Sequence, residues 1–416
     1  MSGAVAAHAA YNGSGTQGLA VTNKINDDDG DVMSVFWNKN DTTRQLLYGS
    51  SIIEIPASGS GGNLTAGGNQ IFTVNNDIDA IGDLYLQIST SGMTSTAITA
   101  FSLLGCIKRI EFMVGTQVWH TLETDDIGAL NMTEMSEDAF ESFFLAMSGG
   151  FKATGERNRI DVDDGAVSTT LSTDITGVLR IPALSRSMGP RLSKFTDISE
   201  HAYLLAGAPH QSVKIKVYMS QSCAGDGGSF SLKLFGQCVV MCNEEREQIK
   251  AMPMGLPKRL KMTQNVKENC SIDSSKVTTC KLDLDHFSLL SSHIVLVARA
   301  DTGNVSIKSV ELKLNSSSFS GVLEGALLTG PAADALGLYS NGIYLNTANY
   351  ADNYYIFPLA SQAYGGSSVP LNRFDNIRMD VEVVTSATSG TITLNATCVG
   401  ETTALYKGGA ASLAMY

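Results

Sequence analysis

Apolar and polar residues alternate along much of the chain. Ile377, Met379, Val381 and Val383 fall on one side of an extended segment while Arg378, Asp380 and Glu382 fall on the other, the period-two pattern of a strand with one buried face. Val213-Lys214-Ile215-Lys216-Val217 and the stretch from Ile107 to Gly115 repeat that pattern, and Tyr354-Tyr355-Ile356-Phe357 reads as an aromatic strand stopped by Pro358. Further strand signals begin at residues 32–37, 71–74 and 82–88. Helical spacing is rare. Residues 137–147 place Phe140, Phe143, Phe144 and Met147 on one stripe, with Ser136 as cap and Gly149-Gly150 as stop. A second helix is predicted from Glu244 to about Ala251, capped by Asn243 and ended by Pro253.

Some of these strands occur twice, in the same order. Ile107-Lys108-Arg109-Ile110-Glu111 matches Ile307-Lys308-Ser309-Val310-Glu311, Ile181-Pro182-Ala183-Leu184-Ser185 matches Phe357-Pro358-Leu359-Ala360-Ser361, and Val213 to Val217 matches Ile377 to Val381. The separations shrink along the chain, so the first copy has the longer connections. This predicts an all-β protein built as a duplicated sandwich domain with insertions in the first copy and short helices in loops. The expected divisions are a flexible arm at 1–31, a first sandwich domain at 32–242, a linker helix at 243–256 and a second sandwich domain at 257–416. A corner follows the Gly365-Gly366-Ser367-Ser368 turn, at Asn372-Arg373-Phe374-Asp375-Asn376 with Arg378 just beyond it. Two readings stand for it. Asp375 and Arg378 could form a salt bridge at a subunit contact, or Asn372, Asp375 and Asn376 could cap the corner by side-chain to backbone hydrogen bonds.

Composition supports two β domains: 416 residues, 40 glycines against 9 prolines, and 17% charged residues suit short strands joined by many turns. A formal charge of −12 without a Lys/Arg block lacks the basic footprint of a nucleic-acid binder. The seven cysteines are scattered and odd in number, which predicts buried free thiols in a reducing compartment. The start carries no basic and apolar leader pattern, and no run approaches the roughly 20 apolar residues of a membrane span, so a cytosolic product is expected.

Chemistry-bearing motifs are weak. Gly13 to Gly18 fits a GxGxxG spacing but has no preceding strand, and the acidic run at Asp27 to Asp31 lacks the first and last carboxylates of a calcium loop. No GxxxxGK[ST], GxSxG or HExxH occurs. Cys238 and Cys242 read as buried thiols rather than zinc ligands. His120, between Trp119 and the acidic Glu123 to Asp126 segment, reads as structural. The expectation is a non-enzyme with no catalytic residue, metal or cofactor. Asn63, Asn131, Asn304, Asn315 and Asn395 stand in Asn-x-Ser/Thr sequons and are possible glycan acceptors.

The order of segments resembles the double jelly-roll major capsid proteins of nucleocytoplasmic large double-stranded DNA viruses, the group that includes algal, irido- and related giant viruses. The resemblance is carried by Gly82-Asp83-Leu84, Leu104 to Gly115, Arg180-Ile181-Pro182, Val213 to Val217, Asn243-Glu244-Glu245-Arg246, Tyr355 to Leu359 and Leu371 to Met379. It implies that the two sandwiches, 32–242 and 257–416, are tandem eight-stranded jelly rolls (a double jelly roll) with short helices in loops, and that the chain forms a homotrimer with a pseudo-hexagonal outline that tiles an icosahedral shell, contacting neighbouring capsomers and minor capsid proteins. It further implies no direct nucleic-acid contact and at most an indirect relation to an inner membrane. The protein would be made in the host cytoplasm and end in the virion. Alternatives are a minor or vertex capsid protein of the same fold, or a tandem jelly-roll carbohydrate-binding protein with an exposed aromatic platform.

Overall fold

The computed structural model describes residues 48–58, 64–91, 104–136, 151–152, 162–163, 166–167, 175–182, 203–220, 229–247, 256–300, 305–339 and 354–414, less a few short breaks within these ranges. The expected arm at 1–31, the helix at 137–147, Asn63 and Asn304 lie outside the described residues. Of the linker segment, Asn243, Arg246 and Glu247 are described and helical, and Leu256 already belongs to the strand that follows.

Sixteen strands form the framework. The first eight are β1 (Tyr48–Ile55), β2 (Asn69–Thr73), β3 (Ala80–Ser91), β4 (Ile107–Val114), β5 (Gln117–Glu123), β6 (Ile175–Ile181), β7 (Val213–Met219) and β8 (Ser229–Met241). The next eight are β9 (Leu256–Ser271), β10 (Val277–Asp283), β11 (Leu290–Ala300), β12 (Val305–Leu314), β13 (Ser317–Glu324), β14 (Tyr354–Pro358), β15 (Ile377–Thr385) and β16 (Thr391–Lys407). Short strands extend several sheets, among them Ala410–Ala414 beside β16.

The first set builds sheets β1-β8-β3-β6 and β2-β7-β4-β5, and the second builds β9-β16-β11-β14 and β10-β15-β12-β13, all antiparallel. First pairs with eighth, second with seventh, third with sixth and fourth with fifth in both sets. That pairing is an antiparallel ribbon rolled on itself, a jelly roll, and the chain is a double jelly roll. The three sequence matches fall on β4 and β12, β6 and β14, and β7 and β15, equivalent strands of the two sandwiches.

Alternation explains the cores. In β15 every second residue from Ile377 to Thr385 is buried, and in β7 every second residue from Val213 to Met219. Phe72, Leu84, Leu86, Ile110 and Phe230 fill the first sandwich, and Phe287, Leu312, Phe357, Met379 and Leu394 fill the second. Burying each such side chain contributes about 1.5–3 kcal/mol. The β4–β5 turn uses Gly115 at φ +62°, and the equivalent β12–β13 turn uses Asn315 and Ser316 at φ +50° and +67°, the left-handed conformations a tight hairpin requires.

Two helices are fully described. α1 (Thr124–Glu134) follows β5, and α2 (Gly330–Leu336), ended by Gly337 at φ +72°, follows β13 in the second sandwich. The cysteines depart from expectation. Cys270 and Cys280 are disulfide-bonded, and Cys106 is bonded as well, whereas Cys238 and Cys398 are free and buried. The Cys270–Cys280 pair is close because β9 and β10 are consecutive edge strands of different sheets, which brings their Cα atoms to 5.9 Å.

Candidate functional site

The densest polar cluster lies where the sandwiches meet, around α1. A capping box starts this helix: the Glu123 backbone N–H donates to Asp126 Oδ2 at 2.9 Å, and the Glu123 side chain accepts from the backbone of the same turn. Every residue from Asp125 to Glu134 is buried. The helix is covered on several sides because it packs against the outward face of the β9-β16-β11-β14 sheet.

Three acids on α1 meet that face. Glu134 accepts from Lys261 Nζ of β9 at 2.6 Å, with both side chains buried, and Arg180 of β6 approaches its other oxygen at 3.8 Å while holding Asp83 at 3.0 Å. Asp125 pairs with Arg299 of β11 at 2.5 Å and with Lys267 of β9 at 2.9 Å. Asp126 accepts from Thr397 Oγ1 of β16 at 2.8 Å and from Asn265 Nδ2 of β9 at 3.1 Å.

Their electrostatics differ by partner. Burial opposes ionisation of Asp125, but Arg299 and Lys267 outweigh it and hold the carboxyl below its usual range. Burial pushes Asp126 up to about 6, only partly offset by its hydrogen-bond donors. Burial lowers His120 to about 3, with Lys261 adding to the effect, and lowers His293 of β11 to about 4. Both imidazoles are therefore neutral near pH 7. His120 lies 6.2 Å from the Phe112 ring and 3.4 Å from Thr263 Oγ1, as a structural side chain would.

A cleft of about 390 Å³ runs along the junction, lined among others by Trp119, His120, Glu123, Asn265, His286 and Leu413. Trp119 is 7% exposed, so it offers no platform to a sugar ring. Among the described residues, no group of three or more His, Cys, Asp or Glu is placed to hold a metal ion.

The corner motif lies in the second sandwich, between β14 and β15. Asn372 and Arg373 form a 3₁₀ turn with Leu371, closed by the Phe374 N–H donating to Leu371 O at 3.0 Å. The caps come from neighbouring turns. Asn315 Oδ1 accepts from the N–H groups of Asp375 and Asn376 at 3.0 and 3.2 Å, Asp285 Oδ1 accepts from Ile377 at 2.5 Å, and Asn315 N–H donates to Asn376 O at 2.8 Å. Arg378 pairs with Asp380 at 2.7 Å instead of Asp375, and Lys313 shares that carboxylate at 2.7 Å. The corner backbone thus receives caps from Asn315 and Asp285, and Arg378 joins a charge ladder on its own sheet.

The sequon sites separate by exposure. Asn131 is fully buried on α1, with its Nδ2 donating to Ile127 O and Arg180 O, and Asn395 is 3% exposed within β16, so neither amide can take a glycan in the folded chain. Asn315 is exposed. At the linker, Arg246 forks onto both oxygens of Asp79 at 2.7 Å, tying residue 246 to the first sandwich. Sequence reasoning missed α1. Its capping box was the available signal, but its buried acids erase the one-sided apolar stripe by which a helix is recognised.

No family model matches the sequence, and no curated protein matches it. By structure the chain is similar to PBCV-1 VP54, as fitted into a reconstruction of the virophage Sputnik, with a TM-score of 0.66 at 12% identity over 89% of this chain and 97% of that one. It is similar to the PBCV-1 virus capsid with a TM-score of 0.64 at 12% identity over 89% and 97%. It is also similar to the Faustovirus major capsid protein, with a TM-score of 0.59 at 8% identity over 93% and 96%. The likeness is one of fold, and it extends over both sandwiches.

Proposed function

We propose that this chain is the major capsid protein of an icosahedral double-stranded DNA virus, a structural subunit and not an enzyme. The observation that carries the reading is the whole-chain likeness to PBCV-1 VP54, spanning 89% of the residues and therefore the repeat as well as the single sandwich. Two equivalent jelly rolls per chain let three chains present six similar sides, which suits a pseudo-hexagonal capsomer in a flat facet. On this reading the jelly rolls occupy 32–242 and 257–416, joined by the linker segment 243–256 and preceded by the 1–31 arm. The partners are two further copies, adjacent capsomers and minor capsid proteins. The −12 charge argues against direct genome contact and leaves an inner membrane as an indirect neighbour. Synthesis in the host cytoplasm and residence in the virion follow from the same reading.

Light scattering of the purified protein tests this, followed by electron microscopy of the same peak. The expected outcome is a mass three times the 44.1 kDa chain and a hexagonal outline. A monomer at every concentration would count against a capsomer.

A further inference from the structure

Two edge strands come together at the junction, β5 at the margin of β2-β7-β4-β5 and β9 at the margin of β9-β16-β11-β14, and both line the cleft of about 390 Å³. Each sandwich therefore supplies a wall. His286, Ser288 and Leu289, between β10 and β11, extend the second wall, and Leu413 on the strand Ala410–Ala414 adds to it. The volume falls within the range of about 300–1,000 Å³ that small-molecule sites occupy, and domain junctions are a common place for such sites.

The lining changes character along the two strands. Val118, Trp119, Met262 and Leu413 supply apolar wall, and further along β5 and β9 come Thr121, Thr263 and Asn265. His120 lies between these groups. It is 7% exposed, and its imidazole makes one polar contact, the 3.4 Å approach to Thr263 Oγ1, which is long for a hydrogen bond. A neutral imidazole carries one donor and one acceptor, so the ring keeps hydrogen-bonding capacity where it borders the cleft. Charge is spent elsewhere. The Glu123 carboxylate takes Lys267 at 2.8 Å, and Asp126 takes Thr397, Asn265 and the Glu123 N–H, so neither lining carboxylate is left for a cation. Among the described residues no Lys or Arg lines the cleft to receive an anion.

We infer that this cleft binds an uncharged planar aromatic molecule carrying a hydroxyl or N–H group, a phenol or an indole, with its rings against Trp119, Met262 and Leu413 and its polar group on His120. The site does not depend on the capsomer reading. Ring burial against the apolar wall supplies affinity, and the single polar contact fixes orientation. Because the walls belong to different sandwiches, an occupant touches both and holds the junction together. It binds only where the junction is formed, so by mass action it favours the folded chain over the unfolded one.

Fluorescence titration of the full chain with 2-naphthol tests this, with the thermal midpoint recorded on the same samples. Saturable binding of one molecule per chain is expected, with a midpoint that rises as the ligand is added. Naphthalene-2-sulfonate and 2-naphthylmethylammonium should bind about tenfold more weakly or worse, since each would bring a charge out of water with no partner for it. His120→Leu removes the hydrogen bond and should weaken 2-naphthol by about three- to tenfold. Val118→Trp fills the apolar end from a position that is 50% exposed, so it should keep the ligand-free midpoint of the wild type and lose binding. Absence of saturable binding, wild-type affinity in Val118→Trp, or equal affinity for a charged analogue overturns the assignment of the site or of its ligand class. Unchanged affinity in a folded His120→Leu overturns the role given to the imidazole, and if that variant does not fold, Val118→Trp alone decides.

Discussion

Asp126 combines full burial with partners that are a hydroxyl, an amide and a backbone N–H. Its folded pKa of about 6 lies above the ordinary 3.8, so the folded state binds its proton more tightly than the unfolded chain does. The stability it contributes is present below 3.8 and is lost as pH rises through about 6. Asp126→Asn should therefore stabilise the protein at pH 8, by about 1–3 kcal/mol, with the gain shrinking at pH 5. The amide fits, since its oxygen can keep the Glu123 and Asn265 donors while its nitrogen donates to the Thr397 hydroxyl. Urea unfolding of both proteins at the two pH values checks this, and a less stable variant at pH 8 would refute it. His120 and His293 act with the opposite sign: their folded pKa values of about 3 and 4 lie below 6.5, so their stabilisation is lost as pH falls from 6.5 toward those values.

At the scale of elements, the β12–β13 hairpin and the corner before β15 depend on one side chain. Asn315 holds a left-handed conformation and accepts two corner N–H groups. Asn315→Gly keeps the turn and removes the cap, for an expected loss of about 1–2 kcal/mol. Asn315→Ala loses the cap and strains the turn as well, by about a further 1 kcal/mol. Thermal unfolding should rank wild type above Gly and Gly above Ala, and equal midpoints would show that the corner does not need the cap. The corner itself was legible from Asn372 to Asn376. What capped it was not, because Asn315 and Asp285 lie 60 and 92 residues from the groups they cap.

For the whole molecule the junction decides how two sandwiches behave as one. Glu134 and Lys261, 127 residues apart, are buried together between them. Lys261→Met leaves the Glu134 carboxylate without its nearest cation in a buried site and should destabilise the protein by about 3–5 kcal/mol. Adding Glu134→Gln removes the stranded charge and should recover much of that loss. Differential scanning calorimetry of the single and double variants measures both, and a double variant no more stable than the single would mean that the pair does not couple.

Period-two alternation, visible in Ile377 to Val383 and Val213 to Val217, was enough to establish strands, their inward faces and the duplication, because one-sided burial writes itself into adjacent residues. Only the tertiary structure decided where α1 lies, which cysteines bond and which side chains cap the corner. Asp126 meets Thr397 across 271 residues, and its burial is tolerable only because those distant donors arrive with the second sandwich. A local pattern records what faces inward. It cannot record which remote polar group will be waiting there.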